Sequence, residues 1–473
     1  MKNTQTTAKD KPEPIDVQYR PILWLVAMGF FMQQLDSTII NTALPNIAKS
    51  LNENPLNMQS VIVAYVLAMA VTIPLSGWVT DRYGIRKTYF AAIILFSVAS
   101  VACAISQTLN QLVIARVFQG IGGALLQPVG RLTLLKVMPK KQLLAALSFV
   151  SIPGLVGPLI GPSLGGALVE LVSWHWIFFI NVPIGIVGAF FTLRILPDLK
   201  MMNLEPFDYV GFLFIAVSMV SLSFVLESMV DPSHSQAHTL ILLIVGLSAG
   251  ASYWLHAIRH HSPLFHTSIF KVDTFSIGIL GNLFARLGNG AIPFMLPLML
   301  QVVLGFNPTI AGLMMIPLAI GSMIIKQYIT KIIYRFGYRN VLTTNTILVG
   351  LGIASLAAIS PSTPLWWQVI HFFLIGIVNS IQFTAMNTVT IKDLTTDDAS
   401  SGNSLLSVVQ QLSMSMGVAI AGAVLNNFIH IYGKTQMLLS FQYTFICLGS
   451  ITVCASWIFW QLRKQNAPRK STR

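Results

Sequence analysis

Three ionisable side chains stand deep inside long apolar stretches of this 473-residue chain: Asp36, Arg116 and Arg286. A charge at such a place costs roughly 2.5–3.5 kcal/mol on insertion scales and is by default a functional group. Burial favours a neutral carboxyl, whereas a neighbouring guanidinium favours the charged one. A carboxylate that alternately meets and leaves an arginine therefore suits the loading and release of a proton. Counted at about 1.5 Å per helical residue in a core of roughly 30 Å, Asp36 and Arg116 both lie about 21 Å from the inner surface, and Arg286 about 18 Å. The three share one level, so Asp36 can pair with Arg116 or Arg286. Gln33, Ser37 and Asn41 fall within a sector of roughly 140° beside Asp36 at helical spacing. They form a polar stripe expected to face a cavity. Gln119, Gln127, Asn282, Asn289 and Gln382 are further polar candidates for the wall of a substrate path, alongside Gln301, Asn379, Asn387, Gln410 and Gln411.

The elements that must hold these groups are membrane-spanning helices. The composition is 54% hydrophobic and only 10% charged, against roughly 25% charged in a soluble domain. Apolar runs such as Pro21 to Ala43 and Phe90 to Ser106 are long enough to cross a bilayer. Fourteen are expected, near 22–43, 57–77, 88–106, 110–132, 143–168, 174–196, 208–228, 238–258, 274–302, 308–326, 341–359, 366–388, 402–428 and 440–462. Pro293 and Pro297 predict a kink or interruption in the ninth. Little chain remains for a soluble domain. Met1 to Arg20 is polar and no cleavage site follows the first apolar run, so no cleaved leader is expected.

With the N-terminus inside, 25 of the 29 Lys and Arg residues fall in inner segments, two outside (Lys49, Lys434) and two within spans. This bias places both termini in the cytoplasm. The basic residues, which give a net charge of +13, are dispersed over eight inner segments, which argues against nucleic-acid binding and for attraction to anionic inner-leaflet lipid. Cys103, Cys447 and Cys454 lie in apolar runs and read as core residues, not as disulfides or zinc ligands. His175 and His371 have no second ligand at metal spacing, so no metal is expected. Gly433-Lys434-Thr435 resembles the end of a phosphate-binding loop, but Phe428 stands where its first glycine is required. No enzyme motif survives.

Arg82-Tyr83-Gly84-Ile85-Arg86-Lys87 recurs 253 residues later as Arg335-Phe336-Gly337-Tyr338-Arg339-Asn340. Two related halves are a common plan for secondary transporters, with the substrate site between them near the midplane. The runs 208–228 and 238–258 lie between the halves and have no counterpart.

Five segments carry a family resemblance: LDSTIINTALP (Leu35 to Pro45), GWVTDRYGIRK (Gly77 to Lys87), RVFQGIGGALLQP (Arg116 to Pro128), GLVGPLIGPSLGG (Gly154 to Gly166) and SWHWIFFINVPIG (Ser173 to Gly185). Over nearly its whole length the chain resembles the major facilitator superfamily, specifically its fourteen-span drug:proton antiporters and, among these, the MdtD-type multidrug exporters. The resemblance implies an all-α membrane fold of two pseudo-symmetric six-helix bundles plus two linking helices. Its divisions would be a cytoplasmic tail 1–21, an N-terminal bundle 22–196, a linker 197–273, a C-terminal bundle 274–462 and a tail 463–473.

It further implies proton-coupled efflux of small molecules; on the depth and charge argument above, Asp36 is expected to carry the proton, with Arg116 as its coupling partner. The proton gradient would supply the energy with no cofactor. Substrate, protons and lipid would be the partners, and a periplasmic adaptor stays an open one. Gly77, Asp81, Arg82, Gly84 and Arg86 match a conformational latch that joins the halves in the outward-facing state. Tyr334 stands where the second copy would need Asp81, so one latch is expected. Gly154, Gly157, Pro158, Gly161, Pro162 and Gly165 match an antiporter motif at the interface between halves, where glycines four apart allow close helix approach. The location implied is the inner membrane. One carboxylate against two arginines favours neutral or anionic cargo over dications, so an exporter of an organic anion such as citrate or its metal chelate is the alternative to a multidrug exporter. A non-transporting sensor or scaffold is the second.

Overall fold

The computed structural model describes residues 16–200, 206–228 and 236–462. Most of the N-terminal tail, the C-terminal tail and parts of the expected linker lie outside the described residues. All regular structure among the described residues is helical. Lipid offers the backbone no partners, so an apolar run satisfies its peptide groups by closing them along its own axis.

The first six spans are α1 (Arg20–Ile39), α2 (Gln59–Thr72), α3 (Ile85–Ala104), α4 (Leu109–Val137), α5 (Lys140–Leu171) and α6 (Asn181–Ile195). The linking pair is α7 (Tyr209–Ser228) and α8 (Gln236–Arg259), and α9 is Asp273–Val302. Ile316–Ser355 is helical throughout except at Gly337, which divides it into α10 (316–336) and α11 (338–355). The last three are α12 (Leu365–Ile391), α13 (Thr396–Tyr432) and α14 (Met437–Cys454). Thirteen helical stretches are long and apolar enough to cross a membrane; one of them, Pro308–Ala358, is 51 residues long and holds both α10 and α11. Fourteen spans result.

The internal repeat has a backbone cause. Gly84 ends the extension of α2 at φ 90°, ψ 153°, and Gly337 separates α10 from α11 at φ 76°, ψ 156°. This region of backbone space is open essentially to glycine alone. The same turn therefore stands at the corresponding place in both halves.

Packing repeats as well. In the first half α1 lies on α5, α3 on α4 and α6, and α2 on α4; in the second, α9 lies on α13, α11 on α12 and α14, and α10 on α12. The halves meet along two seams, α2 with α13, and α5 with α10 and the short helix Pro308–Leu313 before it. The linking helix α7 packs on α8 and lies over the α2–α13 seam.

In the ninth span, where Pro293 and Pro297 predict a kink or an interruption, there is no interruption: α9 runs as one helix over 30 residues. Its buried positions run along nearly every face from Ala285 to Leu300, and helices packed on all sides hold a proline-containing span in register. The three prolines of α5 likewise leave it one helix.

Candidate functional site: a buried ion pair and the seam between halves

Asp36 faces the interior of the first half. Its Oδ2 lies 2.6 Å from Arg116 Nη1. Gln119 Nε2 donates to Oδ1 at 2.7 Å and Asn181 Nδ2 at 3.0 Å. Arg116 also donates to Gln119 Oε1 at 2.7 Å, and its guanidinium lies 3.9 Å from the centre of the Tyr65 ring. Ser100 Oγ accepts from Gln119 at 2.8 Å. Helices α1, α2, α3, α4 and α6 thus each supply one or more members of the cluster. Asp36 and Arg116 are each 1% exposed, so the pair is removed from solvent and lipid alike. Burying two charges is tolerable only with such geometry and extra hydrogen bonds. A proton added to the Asp36 carboxylate would remove the charge that Arg116 pairs with.

The second arginine stands apart. Arg286 on α9 donates to Asn282 Oδ1 at 3.0 Å and Asn387 Oδ1 at 3.2 Å, and lies 4.4 Å from the Phe383 ring centre. No carboxylate among the described residues pairs with it. Of the two pairings open to Asp36, the structure makes the one with Arg116.

Several polar candidates are placed differently from expectation. Gln119 is completely buried in the ion-pair cluster instead of lining a path. Asn282 is bonded to Gly278 O and Thr390 Oγ1 and holds Arg286. Gln382 joins α12 to α11 through Thr346 Oγ1 and Asn345 Nδ2. The stripe beside Asp36 does not line an open cavity either. Gln33 and Asn41 are buried and only Ser37 is half-buried; Asn41 lies in a 3-10 turn, Ile40–Thr42, that follows α1. Gln127 and Asn289 are half-buried. Gln33 Nε2 approaches Met69 Sδ at 3.4 Å, and Gln411 Nε2 reaches the same sulfur from the other half at 3.8 Å. Gln33 and Gln411 thus meet at Met69 across the α2–α13 seam, while Gln410 donates to Asn387 Oδ1 on α12 at 2.9 Å, inside the second half.

At the ends away from the two glycine turns the halves are joined. Gln301 Nε2 donates to Thr42 O at 2.9 Å, Ser163 Oγ to Gly312 O at 3.2 Å, and Glu170 accepts from Asn307 Nδ2 at 3.0 Å and Thr309 N at 3.3 Å. Gly166 lies against the backbone of Pro308, and Gly312 against that of Pro162. The glycine face of the antiporter motif looks elsewhere. A Cβ at Gly157 would stand 2.9 Å from Leu35 N, Gly161 rests on Thr38, and Gly165 on Ile39 and Thr42. This face seats α5 on α1 within one half, next to Asp36, while Pro162, Ser163 and Gly166 make the contact between halves. Gly154 has only Phe30 at 4.0 Å.

The expected latch also differs. Asp81 pairs with Lys136 Nζ at 2.8 Å, inside its own half, and both are half-buried. Arg86 Nε donates to Leu196 O at 2.6 Å, Arg82 lies 5.6 Å from the Trp78 ring, and the space around Gly77 is open. Trp78 packs on Phe207 and Tyr209 of the linker, at 5.3 and 5.9 Å between ring centres. His175 sits beside Ser173 and His371 beside Ser355, each with a neighbouring hydroxyl.

The family model of the Major Facilitator Superfamily matches residues 26–418 and 279–473. The chain belongs to the major facilitator superfamily. It is similar to the "Putative multidrug resistance protein MdtD" of Serratia proteamaculans, 48% identical over 440 residues that cover 92% of each chain. The protein of the same name from Pectobacterium carotovorum is 48% identical over 459 residues, 95% of this chain and 98% of that one. The Escherichia coli O127:H6 protein is 48% identical over 444 residues, 92% and 93%. A crystal structure of a POT family transporter with 5-aminolevulinic acid shares the fold, with a TM-score of 0.68 over 92% of this chain and 94% of that one at 15% identity. This superfamily member is a multi-pass membrane protein of the transporter class.

Members of the sites that sequence reasoning missed are Tyr65, Ser100 and Asn181 at the ion pair and Glu170 and Ser163 at the outer closure. Each is a single polar residue in or beside an apolar run, a signal present but unranked. Asp208, His256 and His260 form a further cluster, whose sign in the sequence is the four-residue spacing of the two histidines.

Proposed function

We propose that this protein exports small molecules, of the multidrug class for which its relatives are named, across the inner membrane in exchange for protons. The observation that carries the reading is the Asp36–Arg116 pair, fully buried and ringed by Gln119, Asn181 and Ser100. Protonation of Asp36 would remove the partner of a buried cation, so it must be accompanied by rearrangement of α1 against α4. Because α1 is seated on α5 through Gly157, Gly161 and Gly165, and α5 makes the outer seam, the protonation state of Asp36 is linked mechanically to the outer closure. Each proton entering down a 100 mV potential supplies about 2.3 kcal/mol to the cycle. No cofactor is required.

The state described is closed at its outer ends, with Asp81 held by Lys136. In the outward-facing state Asp81 would leave Lys136 and engage the other half, and the open space at Gly77 is room for that approach. The moving units are residues 22–196 and 274–462, with both termini in the cytoplasm. Cargo of net negative charge is the second reading, favoured by Arg286, which has amide partners and an aromatic ring but no carboxylate among the described residues.

Proteoliposomes with an imposed pH gradient test the proposal. A cationic dye, a neutral drug and citrate with and without iron are offered in turn. Gradient-driven movement of any of them, lost in Asp36→Asn, supports antiport and identifies the cargo charge. Movement unaffected by the gradient contradicts it.

A further inference from the structure

Outside the ion pair and the seam, one group of metal-ligating side chains comes together, at the inner end of the linking helices. Asp208 immediately precedes α7, and His256 lies in the last turn of α8. His260 is four residues on, one past the helix, and its N–H still donates to His256 O at 2.9 Å. The four-residue spacing puts both rings on one face, with centres 4.9 Å apart. His256 Nε2 is 2.8 Å from Asp208 Oδ1. One ligand atom from each of the three residues lies within 4.8 Å of those from the other two.

We propose that Asp208, His256 and His260 form a binding site for a divalent transition-metal ion of the zinc class on the cytoplasmic side of the linker. Zinc takes His nitrogen and carboxylate oxygen at about 2.0–2.2 Å in a tetrahedron, which sets its ligand atoms roughly 3.3 Å apart. Asp208 and His256 therefore need to separate by about 0.5 Å and His260 to close by at most about 1.5 Å, within the reach of ring rotation. Two imidazoles and one carboxylate suit zinc, nickel or cobalt over magnesium or calcium. The fourth position falls to water or to a further side chain.

The carboxylate is already aimed. Its Oδ1 accepts from Gly211 N at 2.8 Å and its Oδ2 from Leu264 N at 3.1 Å, and its side chain is 2% exposed. Backbone donors that orient a ligand and fix its lone pairs are the usual outer support of a metal site. The Phe214 ring stands 6.3 Å from that of His256 as one wall. Asp208 is flanked in sequence by Phe207 and Tyr209, the two rings packed on Trp78. A bound ion would join α7, α8 and the 260–264 turn, one residue away from the rings that pack on Trp78 of the helix Leu75–Tyr83, which also carries Asp81.

The test uses the full-length protein in detergent, purified without a histidine tag, stripped with chelator and titrated with Zn2+ against a chromophoric competitor, and separately with Co2+ for its visible bands. One tight equivalent is expected, with dissociation at micromolar concentration or below and tetrahedral Co2+ bands. His260→Ala leaves the Asp208–His256 hydrogen bond in place, so it should keep the metal-free melting midpoint yet weaken Zn2+ at least tenfold. His260→Cys should restore binding, and His261→Ala with His266→Ala should not alter it. Asp208→Asn should also weaken binding; if that variant does not fold, the His260 pair decides. Equal affinity in wild type and His260→Ala, or no binding tighter than about 100 μM, overturns the proposal and leaves Asp208–His256 as a clip between two helices. Neither arm depends on transport.

Discussion

Replacing either member of the Asp36–Arg116 pair should destabilise the protein more than replacing both. In wild type Asp36 receives three hydrogen bonds, from Arg116, Gln119 and Asn181, and both charges are 99% hidden. Asp36→Asn leaves Arg116 as a buried cation with no carboxylate, facing neutral groups such as Gln119 Oε1, Val61 O and the Tyr65 and Phe178 rings. Arg116→Gln leaves a buried carboxylate with two amide donors. Breaking a buried pair from one side costs about 3–5 kcal/mol. The double variant removes both charges and keeps amides able to bond Gln119 and Asn181, so its cost should be about 2 kcal/mol. The two singles would then exceed the double by at least about 4 kcal/mol, a factor near a thousand in the folded-to-unfolded ratio. Unfolding in mixed detergent, followed by exposure of the buried thiol of Cys103, reads this. A double variant as unstable as the two singles combined, or an Asp36→Asn cost under about 1 kcal/mol, would refute a charged pair in this state.

Further outcomes follow from the same geometry. A methyl at Gly157 presses on Leu35 N while one at Gly154 meets only Phe30 at 4.0 Å, so Gly157→Ala should cost about 1–3 kcal/mol and Gly154→Ala under about 0.5 in the same unfolding assay. Gly166→Val and Gly312→Val insert side chains into backbone contacts between the halves, so spin labels at Asn52→Cys, in the connection between α1 and α2, and Ser362→Cys, in the connection between α11 and α12, should show a larger fraction of separated outer ends than wild type. Gly84→Ala, at φ 90°, should lower stability by about 1–2 kcal/mol, and Gly337→Ala by a similar amount. Burial acts to raise the Asp208 carboxyl, but hydrogen bonds from Gly211, His256 and Leu264 outweigh it and hold its pKa below the ordinary value. Its contribution is therefore present above the usual carboxylate pKa, about 4, and lost as pH falls through the depressed one. Asp208→Asn should melt below wild type at pH 7, with the gap shrinking below pH 4.

The spans were legible because a bilayer demands about twenty apolar residues at a time, and the two glycine turns were legible because the same six-residue pattern surrounds both. The level of Asp36 and Arg116 followed from counting helical rise. Which way side chains face did not. Gln119 and Gln382 look like path-lining amides in sequence, yet each spends its bonds inside one half, because interhelical bonding and cavity lining draw on the same residue types. Gln33 and Asn41 share a face with Asp36, but both are buried against neighbouring helices, which helical spacing alone does not announce. The α5 glycine stripe announced close packing, but its partner, α1 instead of the opposite half, is set by tertiary arrangement. Asp208 and His256 are 48 residues apart, and only the pairing of α7 with α8 brings them together.

Substrate-induced proton release from the purified protein in detergent, wild type against Asp36→Asn, tests the coupling claim most directly. Weakly buffered protein at neutral pH is mixed with a cationic dye, a neutral drug, citrate or citrate with iron, and the pH is followed. The account predicts that an exported compound releases protons from wild type and that the release vanishes in Asp36→Asn while binding persists. Binding without release in wild type, or release unchanged in the variant, would contradict it.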